Sequence, residues 1–221
     1  QTMHVIGDSH VMGFEALETY FPRYKISMCC VQGATASGLQ NPHSTTLAGP
    51  IINEYVEKNV KPKDAVLVHL GEVDCGFLMW VRAERNGISI EDQTELTLSN
   101  YFSLLSKIGE ITTDVFVLSI VPQTIKDGSF IENVANLRGH ISATQKERTA
   151  LSIQMNRRLH GFAGQHNLRF IDLDSELIDQ VTGVVKDFYL NENAADHHLS
   201  AKKLIPLIAS AIRKLRRPQT F

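Results

Sequence analysis

The 221-residue sequence predicts an α/β fold, a three-layer sandwich with five parallel strands between layers of helix. Five short apolar, β-branched stretches recur along the chain, and between them lie segments whose apolar residues repeat with helical period. Strands that alternate with helices need crossover connections, and right-handed crossovers produce a parallel sheet covered on both faces. No internal repeat, low-complexity stretch or linker interrupts this pattern, so residues 1–221 read as a single domain.

The first strand is residues 3–6, closed by Gly7-Asp8-Ser9-His10, and a helix-period segment follows at 11–21. The second strand, 24–31, leads into Gln32-Gly33-Ala34. Residues 47–59 read as a helix opened by the turn Asn41-Pro42-His43-Ser44-Thr45. The third strand, 65–70, is apolar except for His69, and Gly71 ends it. A helix over 96–111, a strand over 115–121, a helix over 144–165, a strand over 168–173 and a last helix over 201–215 complete the order. The connections at 75–89 and 122–141 are long enough to act as lids or substrate walls.

Composition excludes several functions. Hydrophobic residues make up 43% and charged residues 21%, which argues against disorder and against a fibrous class. A formal charge of −2 offers no electrostatic footprint for nucleic acid, and the basic cluster Arg213-Lys214-Arg216-Arg217 reads as a solvated helix terminus. No apolar run is long enough to span a bilayer. Cys29, Cys30 and Cys75 have neither metal-site nor disulfide spacing, which points to a reducing, cytoplasmic location. The sequence begins at Gln1 rather than at methionine, so a removed leader stays open as an alternative. Oligomeric state is not legible here.

The chemistry-bearing residues lie near the two ends. A strand, a Gly7-Asp8-Ser9 turn and a helix put a serine hydroxyl at the carboxyl edge of the sheet, where backbone N–H groups can face a developing negative charge. Asp196-His197-His198-Leu199 precedes the last helix, whose start returns to the same edge. Ser9 and a histidine of this block therefore read as nucleophile and base of a serine hydrolase. His198 is favoured over His197 by the Leu that follows it. His10 adjoins Ser9, and its ring reads as covering the turn. His69 reads as a satisfied histidine of the core or sheet face. No histidine pair has HExxH spacing, so neither a metal nor a cofactor is expected. In residues 76–85, Trp80 beside Arg82 and Arg85 suits a carbohydrate or an anionic substrate. The same segment also reads as an amphipathic helix that buries Phe77, Trp80 and Val81.

With these pieces in order, the chain resembles the SGNH (GDSL-like) hydrolases, a family of esterases and lipases with a flavodoxin-like five-stranded parallel sheet. Gly7-Asp8-Ser9-His10 matches the first sequence block, and the resemblance implies that Ser9 is the nucleophile and its N–H an oxyanion donor. Gly33 falls where the second block supplies another N–H. Gly71-Glu72-Val73-Asp74 occupies the place of the third block, Gly-x-Asn-Asp, and His198 that of the histidine in Asp-x-x-His. Asn156 and Leu159, then Phe170-Ile171-Asp172, agree more weakly.

Two positions depart from the family pattern. Val73 stands where the family has an oxyanion-binding Asn, and losing one such donor costs about 2.7–4 kcal/mol in the transition state. Ala195 stands where the family has the orienting Asp, three residues before His198. Asp196 reaching the ring through a local backbone change, a carbonyl or Glu192 orienting it, and an inactive dyad are the three readings. The expected catalytic set is Ser9, His198 and Asp196. Gly33, Asp8, His10, Glu72 and Asp74 are the expected oxyanion and substrate-binding set, with Glu72 and Asp74 read equally well as ties for their own turn. The implied function is hydrolysis of short acyl esters, O-acetylated carbohydrates among them, through an acyl-Ser9 intermediate and without a cofactor. The partner is then a small-molecule or carbohydrate ester. An O-acyltransferase on the same fold, or a catalytically impaired binding domain, are the alternatives.

Overall fold

The computed structural model describes residues 1–128 and 141–216. Residues 129–140 of the expected 122–141 lid, and Arg217 of the basic cluster, lie outside the described residues. The strands are β1 (Thr2–Gly7), β2 (Lys25–Cys30), β3 (Ala65–His69), β4 (Asp114–Leu118) and β5 (Arg169–Ile171). All pair in parallel in the order β2-β1-β3-β4-β5. The helices are α1 (Ala48–Asn59), α2 (Met79–Asn86), α3 (Ile90–Ile111), α4 (Gln145–Gln165), the short α5 (Asp174–Leu177) and α6 (Ala201–Arg216).

Alternation along each strand divides the core in two. Ile6, Val66, Val68, Val115 and Val117 point to one face, where Ile52 and Val56 of α1, Leu98 and Leu105 of α3, and Met155 and Leu159 of α4 cover them. Met3, Val5, Ala65, Leu67, Phe116 and Leu118 point to the other face, against Phe14, Leu17 and the apolar stripe Leu204, Ile205, Ile208 and Ile212 of α6. Strands buried on both faces must be apolar throughout, which is why they read as unbroken runs. After β2 the chain crosses back over β1 to lay down β3. The carboxyl ends of β1 and β3 therefore flank the point where strand order reverses, the place where sheets of this type bind ligands.

Several elements differ from expectation. The helix expected over 11–21 is two 3₁₀ segments, Ser9–Val11 and Phe14–Thr19. Gly13, at φ 88°, breaks the ladder between them, and a Cβ there would come within 3.0 Å of the Ala201 Cβ. The helix expected from 96 begins at Ile90, because Ser89 caps it by accepting the Asp92 N–H (3.0 Å). The 75–89 connection is not an open lid. A π-helical turn, Asp74–Leu78, runs into α2, and the Trp80 indole donates to the Cys75 carbonyl (2.7 Å). Phe77, Trp80 and Val81 are half-buried rather than buried as the amphipathic-helix reading expects, and Met79 is the buried residue of α2. Thr144 and Glu147 form a reciprocal capping box, so α4 starts where the sequence places it.

Candidate active site

Gly7 ends β1 with no room for a side chain: a Cβ there would lie 2.4 Å from the His69 carbonyl and 2.6 Å from Val11 Cγ1. Asp8 then caps the 3₁₀ turn, its Oδ1 accepting the His10 N–H (2.8 Å), and Ser9 becomes the first residue of that turn. Its hydroxyl meets a residue from the other end of the chain. Ser9 Oγ and His198 Nε2 lie 2.9 Å apart across 189 positions of sequence.

The loop before α6 holds His198 in place. An antiparallel bridge joins Leu190 to Leu199, the Ser200 N–H donates to the Tyr189 carbonyl (2.9 Å), and the Thr124 hydroxyl donates to the His197 carbonyl. Asp196 Oδ1 accepts the His198 backbone N–H (2.9 Å) and sits 2.6 Å from His198 Nδ1, while Oδ2 accepts from the Asn191 amide (2.9 Å). Partial burial works against ionisation of Asp196. The hydrogen bonds and charge of His198 outweigh it and hold the carboxyl below its ordinary pKa. An ionised Asp196 keeps the ring proton on Nδ1 and leaves Nε2 as an acceptor for the Ser9 hydroxyl. An acid two residues before the histidine, rather than at Ala195, reaches the ring while also capping its backbone.

Asp8 and His10 repeat this arrangement one layer deeper. Asp8 Oδ1 lies 2.9 Å from His10 Nδ1, and His10 Nε2 is 3.5 Å from Glu72 Oε2. The His10 and His198 rings are tilted against one another, with centroids 4.7 Å apart. Asp8, Glu72 and Asp74 are all buried. Asp74 accepts the Ala36 (2.7 Å) and Ser37 (3.1 Å) N–H groups and so ties down the loop after β2. Burial outweighs those bonds and pushes its pKa up to about 6. Gly33, in the same loop, is exposed and left-handed (φ 69°). Val73 lies at the start of the π-helical turn and supplies no side-chain donor.

His69 departs from expectation. It is fully buried, but neither ring nitrogen makes a well-formed hydrogen bond. Burial pulls its pKa down to about 4, against the opposing pull of Asp8, Glu72 and the Leu118 carbonyl. The sequence reading also passed over Thr124 and Asn191, which hold the histidine loop, since nothing in local sequence marks a contact between distant loops. Among the described residues, two sets of three side chains bring one ligand atom each within 4.8 Å of one another: Asp8, His10 and His69, and His10, His197 and His198.

No protein-family model matches the sequence, and no curated protein matches it. Solved structures do match the fold. A GDSL-like lipase from Bacteroides thetaiotaomicron aligns with a TM-score of 0.59 at 16% identity, over 96% of this chain and 88% of its own. The chain has the SGNH-hydrolase fold. An acetylxylan esterase from Geobacillus stearothermophilus aligns at 0.57 and 14% identity, over 99% and 95% of the two chains. A phospholipase A1 from Streptomyces albidoflavus aligns at 0.54 and 16%, over 95% and 98%. In this SGNH fold the turn after β1 and the loop before α6 meet at one sheet edge, which is where Ser9 and His198 come together. Among the described residues no helix is long and apolar enough to cross a membrane.

Proposed function

We propose that this protein is a serine ester hydrolase acting through Ser9, His198 and Asp196. The observation that carries the reading is the relay of two short contacts, Ser9 Oγ to His198 Nε2 (2.9 Å) and His198 Nδ1 to Asp196 Oδ1 (2.6 Å). Ser9 Oγ attacks the ester carbonyl while Nε2 takes its proton, and Asp196 stabilises the imidazolium. The backbone N–H groups of Ser9 and Gly33 receive the oxyanion, with Val73 adding nothing. The imidazolium then protonates the departing alkoxide, leaving an acyl group on Ser9. Water, activated by the same imidazole, attacks that acyl carbon and releases the acid.

The proposed substrates are short acyl esters of hydroxylated compounds, O-acetylated carbohydrates in particular. The side chains around the dyad are polar: His10, His197, Asp196, Asn191 and Thr124. Such surroundings suit a small acyl group and a hydroxyl-rich leaving group better than a long acyl chain. Hydrolysis of p-nitrophenyl acetate by the wild type, Ser9→Ala and His198→Ala tests the reading. Both substitutions are expected to reduce turnover to background, and an acetylated xylo-oligosaccharide to be deacetylated faster than a long-chain ester. Activity that survives Ser9→Ala rules the mechanism out.

A further inference from the structure

Beneath the Ser9 turn lies a group of side chains that the ester chemistry does not use. One ligand atom each of Asp8, His10 and His69 lies within 4.8 Å of the other two, and all three residues are buried. Asp8 Oδ2 and both ring nitrogens of His69 make no well-formed hydrogen bond among the described residues, although the Leu118 carbonyl lies beside the His69 ring. A buried polar atom left unpaired costs about 1–3 kcal/mol, and a charged one more. An unpaired carboxylate oxygen beside an unpaired imidazole calls for a shared partner.

We propose that Asp8, His10 and His69 bind a divalent first-row metal ion, with Zn²⁺ as the best match, between the carboxyl ends of β1 and β3. His10 binds through Nδ1, giving up its hydrogen bond to Asp8 Oδ1 (2.9 Å), and Asp8 binds through its unpaired Oδ2. At a tetrahedral centre with bonds of about 2.0–2.1 Å, ligand atoms sit about 3.3 Å apart, so atoms now within 4.8 Å of one another close around an ion by a modest side-chain movement. Two imidazoles and a carboxylate are donors that suit such an ion. The surrounding groups fit as well. Metal-bound histidines usually give their other N–H to a carboxylate or a carbonyl. Glu72 stands 3.5 Å from His10 Nε2, and the Leu118 carbonyl lies beside His69. The buried Asp8 and Glu72 carboxylates together balance the charge of a divalent ion, which lowers the cost of burying both. The second set, His10, His197 and His198, is a weaker candidate. It would remove Nε2 of His198 from Ser9, and none of its atoms is both buried and unpaired.

The site is independent of the ester chemistry and is tested without it. The full-length chain, stripped with a chelator, is titrated with Zn²⁺ and read by elemental analysis after dialysis. Co²⁺ is added in parallel and read by its visible ligand-field bands. One equivalent bound by the wild type and by His197→Ala is expected, with loss in Asp8→Asn and His69→Gln. Glu72→Gln is expected to weaken binding about 10–100-fold. Circular dichroism identifies any variant that fails to fold, and the wild type and His197→Ala, which leave the core intact, still decide the matter. No stoichiometric ion on the wild type overturns the proposal and leaves ordered water as the partner of these atoms. Binding abolished by His197→Ala overturns it in favour of the set of His10, His197 and His198.

Discussion

Asp196→Asn is the most direct perturbation of the proposed triad. The variant keeps the shape of the side chain and an oxygen for the His198 backbone N–H, but removes the negative charge 2.6 Å from Nδ1. An amide can turn its NH₂ toward Nδ1, which puts the ring proton on Nε2, the atom that must accept the Ser9 proton. In the Ser-His-Asp template this change lowers kcat about 10⁴-fold. Here the Asp196 side chain is 36% exposed and shares its charge with Asn191, so solvent and a neighbour already moderate its effect. The expected loss is therefore smaller, about 10²–10³-fold in kcat, or ~3–4 kcal/mol of transition-state stabilisation, with KM little changed. Steady-state hydrolysis of p-nitrophenyl acetate measures it, with His198→Ala as the floor. Adding Asp196→Asn to His198→Ala should cost nothing more, because both act through one imidazole. A loss below about threefold, under ~0.7 kcal/mol, or an equal loss in Glu192→Gln, would refute the assignment of Asp196 as the orienting acid.

Asp74 and Gly7 give two further tests. The folded-state pKa of Asp74, raised from 3.8 to about 6, means that the native chain holds this proton more tightly than the unfolded chain does. Stability should therefore fall as pH rises between about 4 and 6, by about 2–3 kcal/mol from this group. Asp74→Asn should remove that part of the slope in urea unfolding, and an unchanged slope would count against it. Gly7→Ala forces a Cβ to 2.4 Å from the His69 carbonyl and should destabilise the fold by about 1–3 kcal/mol, read as a lowered Tm. Because the strand end carries Ser9, activity in the surviving folded protein should fall too.

The layered architecture was readable because both sheet faces are buried. Strands such as Ala65–His69 and Asp114–Leu118 must then be apolar at nearly every position, and helices must intervene. Element ends were readable where a side chain closes its own cap, as at Thr144 with Glu147. They were misread where tertiary contact overrides local pattern. Residues 11–21 have helical periodicity, yet Gly13 packs against Ala201 and divides the segment into 3₁₀ turns. Of the two readings of the 75–89 connection, as an open lid and as an amphipathic helix, the second holds over Met79–Asn86, where the Trp80–Cys75 hydrogen bond and the packing of Met79 secure it.

For the site, local motifs sufficed to nominate Ser9 and His198, because a strand–turn–helix displays its turn residue at the sheet edge whatever the rest of the chain does. The identity of the orienting acid did not follow from spacing. It depends on backbone torsions that let Asp196 hold both the N–H and the ring of a residue two positions on. The burial of Asp8, His69 and Glu72 in one group, with the unpaired atoms of Asp8 and His69, depends on the ends of β1 and β3 and the turns after them converging. Periodicity and turn chemistry act between near neighbours and are written in the order of residues. Contacts such as Ser9 to His198, 189 residues apart, exist only once packing has brought the two ends of the chain to the same edge of the sheet.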